Sequence, residues 1–157
     1  MVEKNLVVAR FADGRMIKGS TDDFYPERPL FHIQSREEGM KHVRMCDLKA
    51  VFFVRSLQGD PSHLKSREFS ADSEKTQGRK IAAVFKDGEL IAGHTLTYLP
   101  GKQGFFLFPA DRRGNNLRVY VVTAATRVVK IGPAAEQLIK MTPRKPKPQD
   151  SPDRRAA

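Results

Sequence analysis

Two stretches of this chain repeat one pattern at a constant spacing. The first reads VVARFADGRMIKGSTDDFYPERPLFHIQ and the second IAAVFKDGELIAGHTLTYLPGKQGFFLF, and each residue of the second follows its match by 74 positions. The alignment needs no gap and keeps the landmarks Phe11/Phe85, Asp13-Gly14/Asp87-Gly88, Gly19/Gly93, Thr21/Thr95, Phe24/Tyr98, Pro26/Pro100 and Phe31/Phe105. The repeat sets a structural unit of about 50 residues. No catalytic group is duplicated with it.

The repeat divides the chain into four segments. These are a first copy (1–56), a polar linker (57–78), a second copy (79–131) and a short helix followed by a disordered basic tail (132–157). A unit of about 50 residues buries too little apolar surface to be comfortably stable alone. The two copies are therefore expected to pack on each other. In the linker, Leu64 and Phe69 are expected to cover one copy from a helical turn.

The net charge of +10 is unevenly distributed. The first copy has ten Lys and Arg against eight Asp and Glu, which gives +2, and the second has nine against three, which gives +6. Such asymmetry fits an anionic partner or simple solubility. No run of some 18 apolar residues predicts a membrane helix, and the N-terminal apolar stretch is too short and interrupted for a signal peptide. A cytoplasmic protein without membrane insertion is expected.

Apolar runs and turn residues predict five short strands in each copy. Asp-Gly between apolar runs is a strong hairpin signal, and Gly19 inside the second strand indicates a bulge or bend. A helical turn at Asp47–Lys49 precedes the last strand of the first copy, and Pro133–Met141 is predicted as a helix. The predicted strands are Val7–Phe11, Met16–Thr21, Leu30–Ile33, His42–Cys46, Ala50–Val54, Lys80–Phe85, Glu89–Thr95, Gly104–Phe108, Leu117–Val122 and Thr126–Ile131.

Five strands, a bend glycine and a helical turn before the last strand resemble SH3-like and Sm-like small barrels. The pattern FxDGxxxxGxTxxFxPxxxxFxL, followed by NNxRVYV, also resembles an uncharacterised bacterial domain family. The resemblance implies an all-β fold of two tandem five-stranded small barrels. It also implies a role in signalling or motility, because members of that family occur beside PilZ and response-regulator domains. No catalytic residue comes with it.

The polar residues show no enzyme signature. His32, His42, His63 and His94 lack the spacing of a metal site. A loop two residues longer in the second copy would raise the offset to 76, so that Val43 aligns with Val119 and Cys46 with Val122. An apolar counterpart predicts that Cys46 is a buried, inert thiol. We expect no metal, no cofactor and no enzymatic activity.

The loop between the second and third strands of each copy is the predicted protein-binding surface. It combines aromatic, proline and cationic residues, which suit a recognition surface. By strand alternation, Phe106 and Phe108 share one face, and their matches His32 and Gln34 are polar. This face is expected to be exposed in the first copy and covered in the second, at the contact between the copies or by a partner. In the alternative interpretation, Phe24 and Tyr98 plug the open ends of the barrels. The predicted protein-binding residues are Phe24, Tyr25, Pro26, Tyr98, Pro100, Phe106 and Phe108.

The leading functional hypothesis is therefore a non-enzymatic adaptor that binds a protein partner; the oligomeric state is left open. A second hypothesis is nucleic-acid (RNA) binding through phosphate contacts of basic residues in the second copy and the tail. A third is a receptor for an anionic small ligand such as a nucleotide second messenger, held by Arg28, Arg112 and Arg113. The basic set is Arg28, Lys102, Arg112, Arg113, Arg118, Arg144, Lys145 and Lys147.

Overall fold

The computed structural model describes residues 5–58, 78–96, 98–110 and 114–143. The chain is mostly β, with ten strands and one short helix within the described residues. The strands are β1 (Asn5–Phe11), β2 (Met16–Thr21), β3 (Leu30–Ser35), β4 (Gly39–Arg44), β5 (Leu48–Val54), β6 (Arg79–Phe85), β7 (Leu90–Thr95), β8 (Gly104–Pro109), β9 (Asn116–Val122) and β10 (Thr126–Ile131). Helix α1 covers Pro133–Met141.

Local sequence signals account for these elements. Gly14 and Gly88 close the β1–β2 and β6–β7 turns with φ of 97° and 93°, a region that glycine enters without a Cβ penalty. In both turns the glycine N–H donates to the carbonyl of the phenylalanine that ends the strand, at 3.1 Å to Phe11 and 2.8 Å to Phe85. The Asp-Gly prediction is thus confirmed in both copies. A 3-10 turn at Met45–Asp47 precedes β5, two residues earlier than predicted.

The ten strands form one antiparallel sheet in the order β10-β6-β7-β8-β9-β5-β1-β2-β3-β4. Each copy contributes five strands in the same order, since β4-β3-β2-β1-β5 corresponds to β9-β8-β7-β6-β10. The sheet is open, so two separate closed barrels are not what the structure shows. The physical reason is that β5, the last strand of the first copy, pairs with β9 of the second. We call this β5–β9 pairing the seam.

The seam interleaves the hydrophobic cores of the two copies. Every residue of β5 is buried. Its alternating side chains enter different cores, Val51 and Phe53 beside Phe31 of the first copy, and Phe52 beside Phe105 of the second. From β9, Tyr120 enters the first core. A strand buried on both faces has no polar alternation, which explains the apolar run AVFFV at its end.

The registers correct the predicted alignment of the last two strands. Phe31 pairs with Val43, and its match Phe105 pairs with Val121. Val121 follows Val43 by 78 positions, so the predicted equivalence of Val43 with Val119 is wrong by two residues. The 3-10 turns at Met45–Asp47 and Thr123–Ala125 are also 78 positions apart. The β3–β4 connection is therefore four residues longer in the second copy.

Helix α1 packs on the outer face of the second copy. Gly132 precedes it with φ of 68°, and Pro133 occupies its first turn, where the missing N–H is tolerated. Ala135 packs on Ala82 and Ala92 of the sheet, and Lys80 forms an ion pair of 2.9 Å with Glu136. The predictions for Leu64, Phe69 and nearly all of the tail lie outside the described residues. No described helix has the length and apolar character needed to cross a lipid bilayer.

Candidate functional site

The rings of the two predicted recognition loops pack on the cores. Phe24 meets Phe31 edge-on with ring centroids 5.0 Å apart, and Tyr98 meets Phe105 in the same way at 5.0 Å. Both rings therefore pack inward, as the plugging alternative expects, although they cover the cores of an open sheet rather than the ends of closed barrels. Tyr25 remains 46% exposed, with the Arg28 guanidinium 4.5 Å from the centre of its ring.

Phe106 lies at the seam, so its ring is covered by the contact between the two copies. Its ring centre is 6.1 Å from that of Phe53 and 5.2 Å from that of Tyr120. The Arg118 guanidinium lies 4.4 Å from the centre of the Phe53 ring and 4.8 Å from that of Phe106, and burial lowers the pKa of Arg118. Arg118 is thus held between two rings. Phe108 stays 41% exposed.

The remaining predicted residues lie on the two recognition loops or outside the described part of the chain. Pro26 accepts a hydrogen bond of 3.4 Å from the Gln103 side chain of the second copy, so its loop lies at the boundary between the copies. Pro100 and Lys102 lie on the exposed β7–β8 loop of the second copy. Arg112, Arg113, Arg144, Lys145 and Lys147 lie outside the described residues.

The free edge of β4 is the feature that sequence reasoning missed. β4 pairs with β3 on one side, and no described strand pairs with it on the other. The Met45 N–H donates to the Pro29 carbonyl at 2.9 Å, and antiparallel pairs alternate between bonded and non-bonded positions. Met45, Val43 and Lys41 therefore bond to β3. The N–H and C=O groups of Met40, His42 and Arg44 point toward the open side.

A cleft of about 600 Å³ lies beside this edge. The β1–β2 hairpin forms one wall through Phe11, Arg15 and Met16, and the β4 side is formed by residues that include Lys41 and His42. The free edge and the hairpin therefore face a common space.

His42 belongs to a chain of hydrogen bonds that starts at a carboxylate. Asp23 Oδ2 lies 2.5 Å from His32 Nδ1, and His32 Nε2 lies 3.2 Å from His42 Nδ1. The His32 N–H donates to Asp23 Oδ1 at 2.9 Å, and the Thr21 hydroxyl donates to it at 3.1 Å. Partial burial raises the pKa of Asp23, but the hydrogen bonds from His32 and Thr21 outweigh it and hold this pKa below its ordinary value.

Asp23→Asn is expected to lower the free energy of unfolding at pH 7 by about 1 kcal/mol, because the amide cannot replace a charge-assisted acceptor. The pKa of Asp23 is lower in the folded state, so its stabilising effect is present above the unfolded pKa of about 3.9 and is lost as pH falls through the folded pKa. Urea unfolding at pH 7 and below about pH 3 measures this. Asp22→Asn, on the exposed neighbour, is the control and should have little effect at either pH. An equal loss at both pH values would contradict the assignment.

Cys46 is exposed, so the prediction of a buried thiol is wrong. The prediction matched Cys46 with the apolar Val122. With the correct offset of 78, its counterpart is Ala124, which is also exposed. An Arg44 Nη group lies 3.3 Å from the Cys46 sulfur, and the thiol lies 3.8 Å from Asp47 Oδ1. In the part of the chain that the structure describes, no three His, Cys, Asp or Glu side chains come together as metal ligands.

Comparison with the curated proteins and with the solved structures finds no match. A family model covers residues 3–132, which include both copies from β1 to the end of β10. The seam and the free β4 edge both lie within this match. The chain therefore belongs to a family of unknown function, DUF6982.

Proposed function

We propose that this protein is a non-enzymatic binding module that takes up an extended segment of a partner protein at the free edge of β4. One observation carries the proposal. β9, the counterpart of β4 in the second copy, pairs with a further strand at the seam, whereas the described residues supply no such strand for β4. The added segment would continue the sheet, a common mode of peptide recognition.

The seam supplies the geometry of such a complex. Val51 of β5 lies opposite Tyr120 of β9, and Phe53 lies opposite Arg118. In the first copy, the residues equivalent to Tyr120 and Arg118 lie 78 positions earlier and are His42 and Met40. Both have backbone groups that point to the open side of β4. A docked segment in the place of β5 would therefore pair with His42 and Met40.

Exposed apolar side chains flank the same edge. Met40 is 57% exposed, Met16 45% and Leu30 38%. Exposed apolar surface that borders unpaired strand backbone favours association with another chain. The expected adaptor role in bacterial signalling or motility remains part of this proposal and rests on the family resemblance. A cytoplasmic location also remains part of it, as an expectation from the sequence.

Proline at the open side of β4 tests the proposal. A phage-displayed library of random peptides is selected on the wild-type protein, and the recovered peptides are measured against His42→Pro and His42→Ala. Proline removes an outward N–H and is tolerated in edge strands, so His42→Pro should weaken binding by about tenfold or more. His42→Ala loses the side chain but keeps the donor, and it should bind more tightly than His42→Pro.

Thermal unfolding of both variants verifies that the fold is retained. Peptides that bind His42→Pro as tightly as His42→Ala would place the binding surface elsewhere and refute the docking of a strand on β4. Peptides that depend on Tyr25 or Phe108 instead would favour the exposed aromatic residues first predicted from the sequence.

A further inference from the structure

The seam contains a cation that reaches from one copy to the other. Lys49 of β5 lies 2.8 Å from the Asp87 carboxylate and 3.2 Å from that of Glu89. Its ammonium group is also 4.6 Å from the centre of the Phe85 ring. Although its side chain is only 9% exposed, Lys49 is satisfied by the β6–β7 hairpin. This hairpin therefore accepts a cation from the strand that docks on β9.

The corresponding hairpin beside the free edge is already occupied by its own cation. The residues 74 positions before Phe85, Asp87 and Glu89 are Phe11, Asp13 and Arg15. Arg15 Nε lies 2.8 Å from Asp13, and the guanidinium lies 4.8 Å from the centre of the Phe11 ring. Arg15 thus takes the place that Lys49 has at the seam. A cation on an incoming strand would meet Arg15 where Lys49 meets Glu89.

A second position also carries a positive charge on the free edge where the seam has an apolar residue. At the seam Phe52 of β5 lies opposite Val119 of β9, and both are buried. The counterpart of Val119 on the free edge is Lys41, 78 positions earlier. An incoming strand would therefore place the residue at the Phe52 position opposite an ammonium group.

The strand most similar to β5 is unsuited to this edge. β10 is the counterpart of β5, and the residues that match Lys49 and Phe52 are Arg127 and Lys130. If β10 of a second copy docked on β4, Arg127 would approach Arg15 and Lys130 would lie opposite Lys41. Like charges directly opposite each other in a sheet are destabilising. These two contacts oppose head-to-tail association of copies.

We propose that the free edge of β4 selects an extended acidic segment of another protein, and that the same cations exclude the chain's own β10. The proposal rests on the function proposed above and names the chemistry of its partner. The segment would lie in the register that β5 takes on β9. One carboxylate would approach Arg15 from the position of Lys49, and another would face Lys41 from the position of Phe52. Such an edge gains specificity by repelling the wrong strand as well as by attracting the right one.

Arg15 and Lys41 can both bind a further carboxylate, although each has an acidic residue nearby. Arg15 uses Nε for Asp13, and its side chain is 67% exposed, so its terminal nitrogens keep donors for a second carboxylate. Lys41 lies 3.8 Å from Glu38, beyond hydrogen-bond distance. Arg44 has its own acid, Asp47, at 3.7 Å. The three cations named along the edge are each matched by one acid, so selection depends on the two positions rather than on a basic patch.

Two matched peptides test the inference directly. Both are derived from the β5 sequence LKAVFFV and differ from each other at the positions of Lys49 and Phe52. The acidic peptide has Lys49→Glu and Phe52→Glu, and the basic peptide keeps the lysine and has Phe52→Lys. Fluorescence anisotropy with the full chain should show the acidic peptide binding about tenfold or more tightly than the basic one. The difference should shrink as salt is raised, because the contacts are partly exposed.

A charge-reversed protein gives the complementary result. Arg15→Glu combined with Lys41→Glu should reverse the preference between the peptides while the melting temperature remains close to that of the wild type. Equal binding of both peptides, no binding of either, or unchanged preference in the reversed protein would overturn the inference. Head-to-tail oligomers of the wild type in light scattering that disappear on Lys130→Pro would overturn it as well. If library peptides need the His42 backbone donor but show no acidic preference, the binding function stands and this inference alone fails.

Discussion

Phe53→Ala is expected to lower the free energy of unfolding by about 3–5 kcal/mol, the range for truncation of a buried phenylalanine. Phe53 is 3% exposed and belongs to β5 at the seam. Its ring is 5.3 Å from that of Phe24 and 6.1 Å from that of Phe106, centre to centre. The truncation therefore removes contacts within the first copy and between the copies. It also removes one of the two rings that hold the Arg118 guanidinium.

Phe108→Ala is the matched control for this prediction. Phe108 is 41% exposed, and its truncation should cost about 0.5 kcal/mol or less, as surface substitutions usually do. Urea unfolding followed by far-UV circular dichroism measures both variants. If Phe53→Ala were no more harmful than Phe108→Ala, the seam could not be a packed part of the core.

The seam also predicts how the two copies unfold. Val8 and Phe52 of the first copy pack in the core of the second, and Tyr120 and Val122 of the second pack in the core of the first. Neither core is complete without residues of the other copy. Wild-type unfolding should therefore be one cooperative transition, and loss of Phe53 should shift the whole transition rather than split it.

The local elements were predictable because their signals are local. Asp-Gly pairs mark both hairpin turns, and Pro133 marks the start of α1 as predicted. Strands β2 and β10 have the predicted bounds, and each of the others differs by one to three residues at one or both ends. The order of the strands in the sheet, and above all the pairing of β5 with β9, has no such local signal in the sequence. The apolar stretch Ala50–Val54 was consistent with the last strand of a closed barrel, and only its burial on both faces distinguishes a strand shared between two cores.

The candidate site depended on a register that the sequence did not reveal. Val119 and Val121 are both valines in alternation, so either one satisfies an apolar match to Val43. An offset of 76 therefore satisfies the apolar pattern as well as 78 does, and it places Cys46 beside an apolar counterpart. The His32–His42 contact was missed for a related reason, because these residues become neighbours only through the β3–β4 pairing. The polar residues at His32 and Gln34, where the second copy has Phe106 and Phe108, were the available signal that the two copies differ on this face.

Gly93→Ala is expected to destabilise the protein by about 3 kcal/mol, the upper part of the usual range for overpacking. Gly93 lies in β7 where this strand crosses β8. A Cβ there would lie 2.7 Å from the carbonyl carbon of Phe108, closer still to its oxygen, and 2.8 Å from a methyl group of Leu107. Backbone cannot give way as a flexible side chain can, so the β7–β8 contact must open. That contact is short, with only Gly93 and His94 in register.

The repeat supplies both a replicate and a control for this prediction. Gly19→Ala in β2 should be similarly harmful, since its Cβ would lie 2.7 Å from an Ile33 methyl group and nearer to the Gln34 carbonyl oxygen. Gly14→Ala should cost only about 1–2 kcal/mol, because its φ of 97° is strained for alanine but no atom lies within 4 Å of the added carbon. Urea unfolding of the three variants separates crowding from backbone strain. A Gly93→Ala protein as stable as Gly14→Ala would show that β7 and β8 do not cross this closely, and the same bend glycine would then need another explanation in both copies.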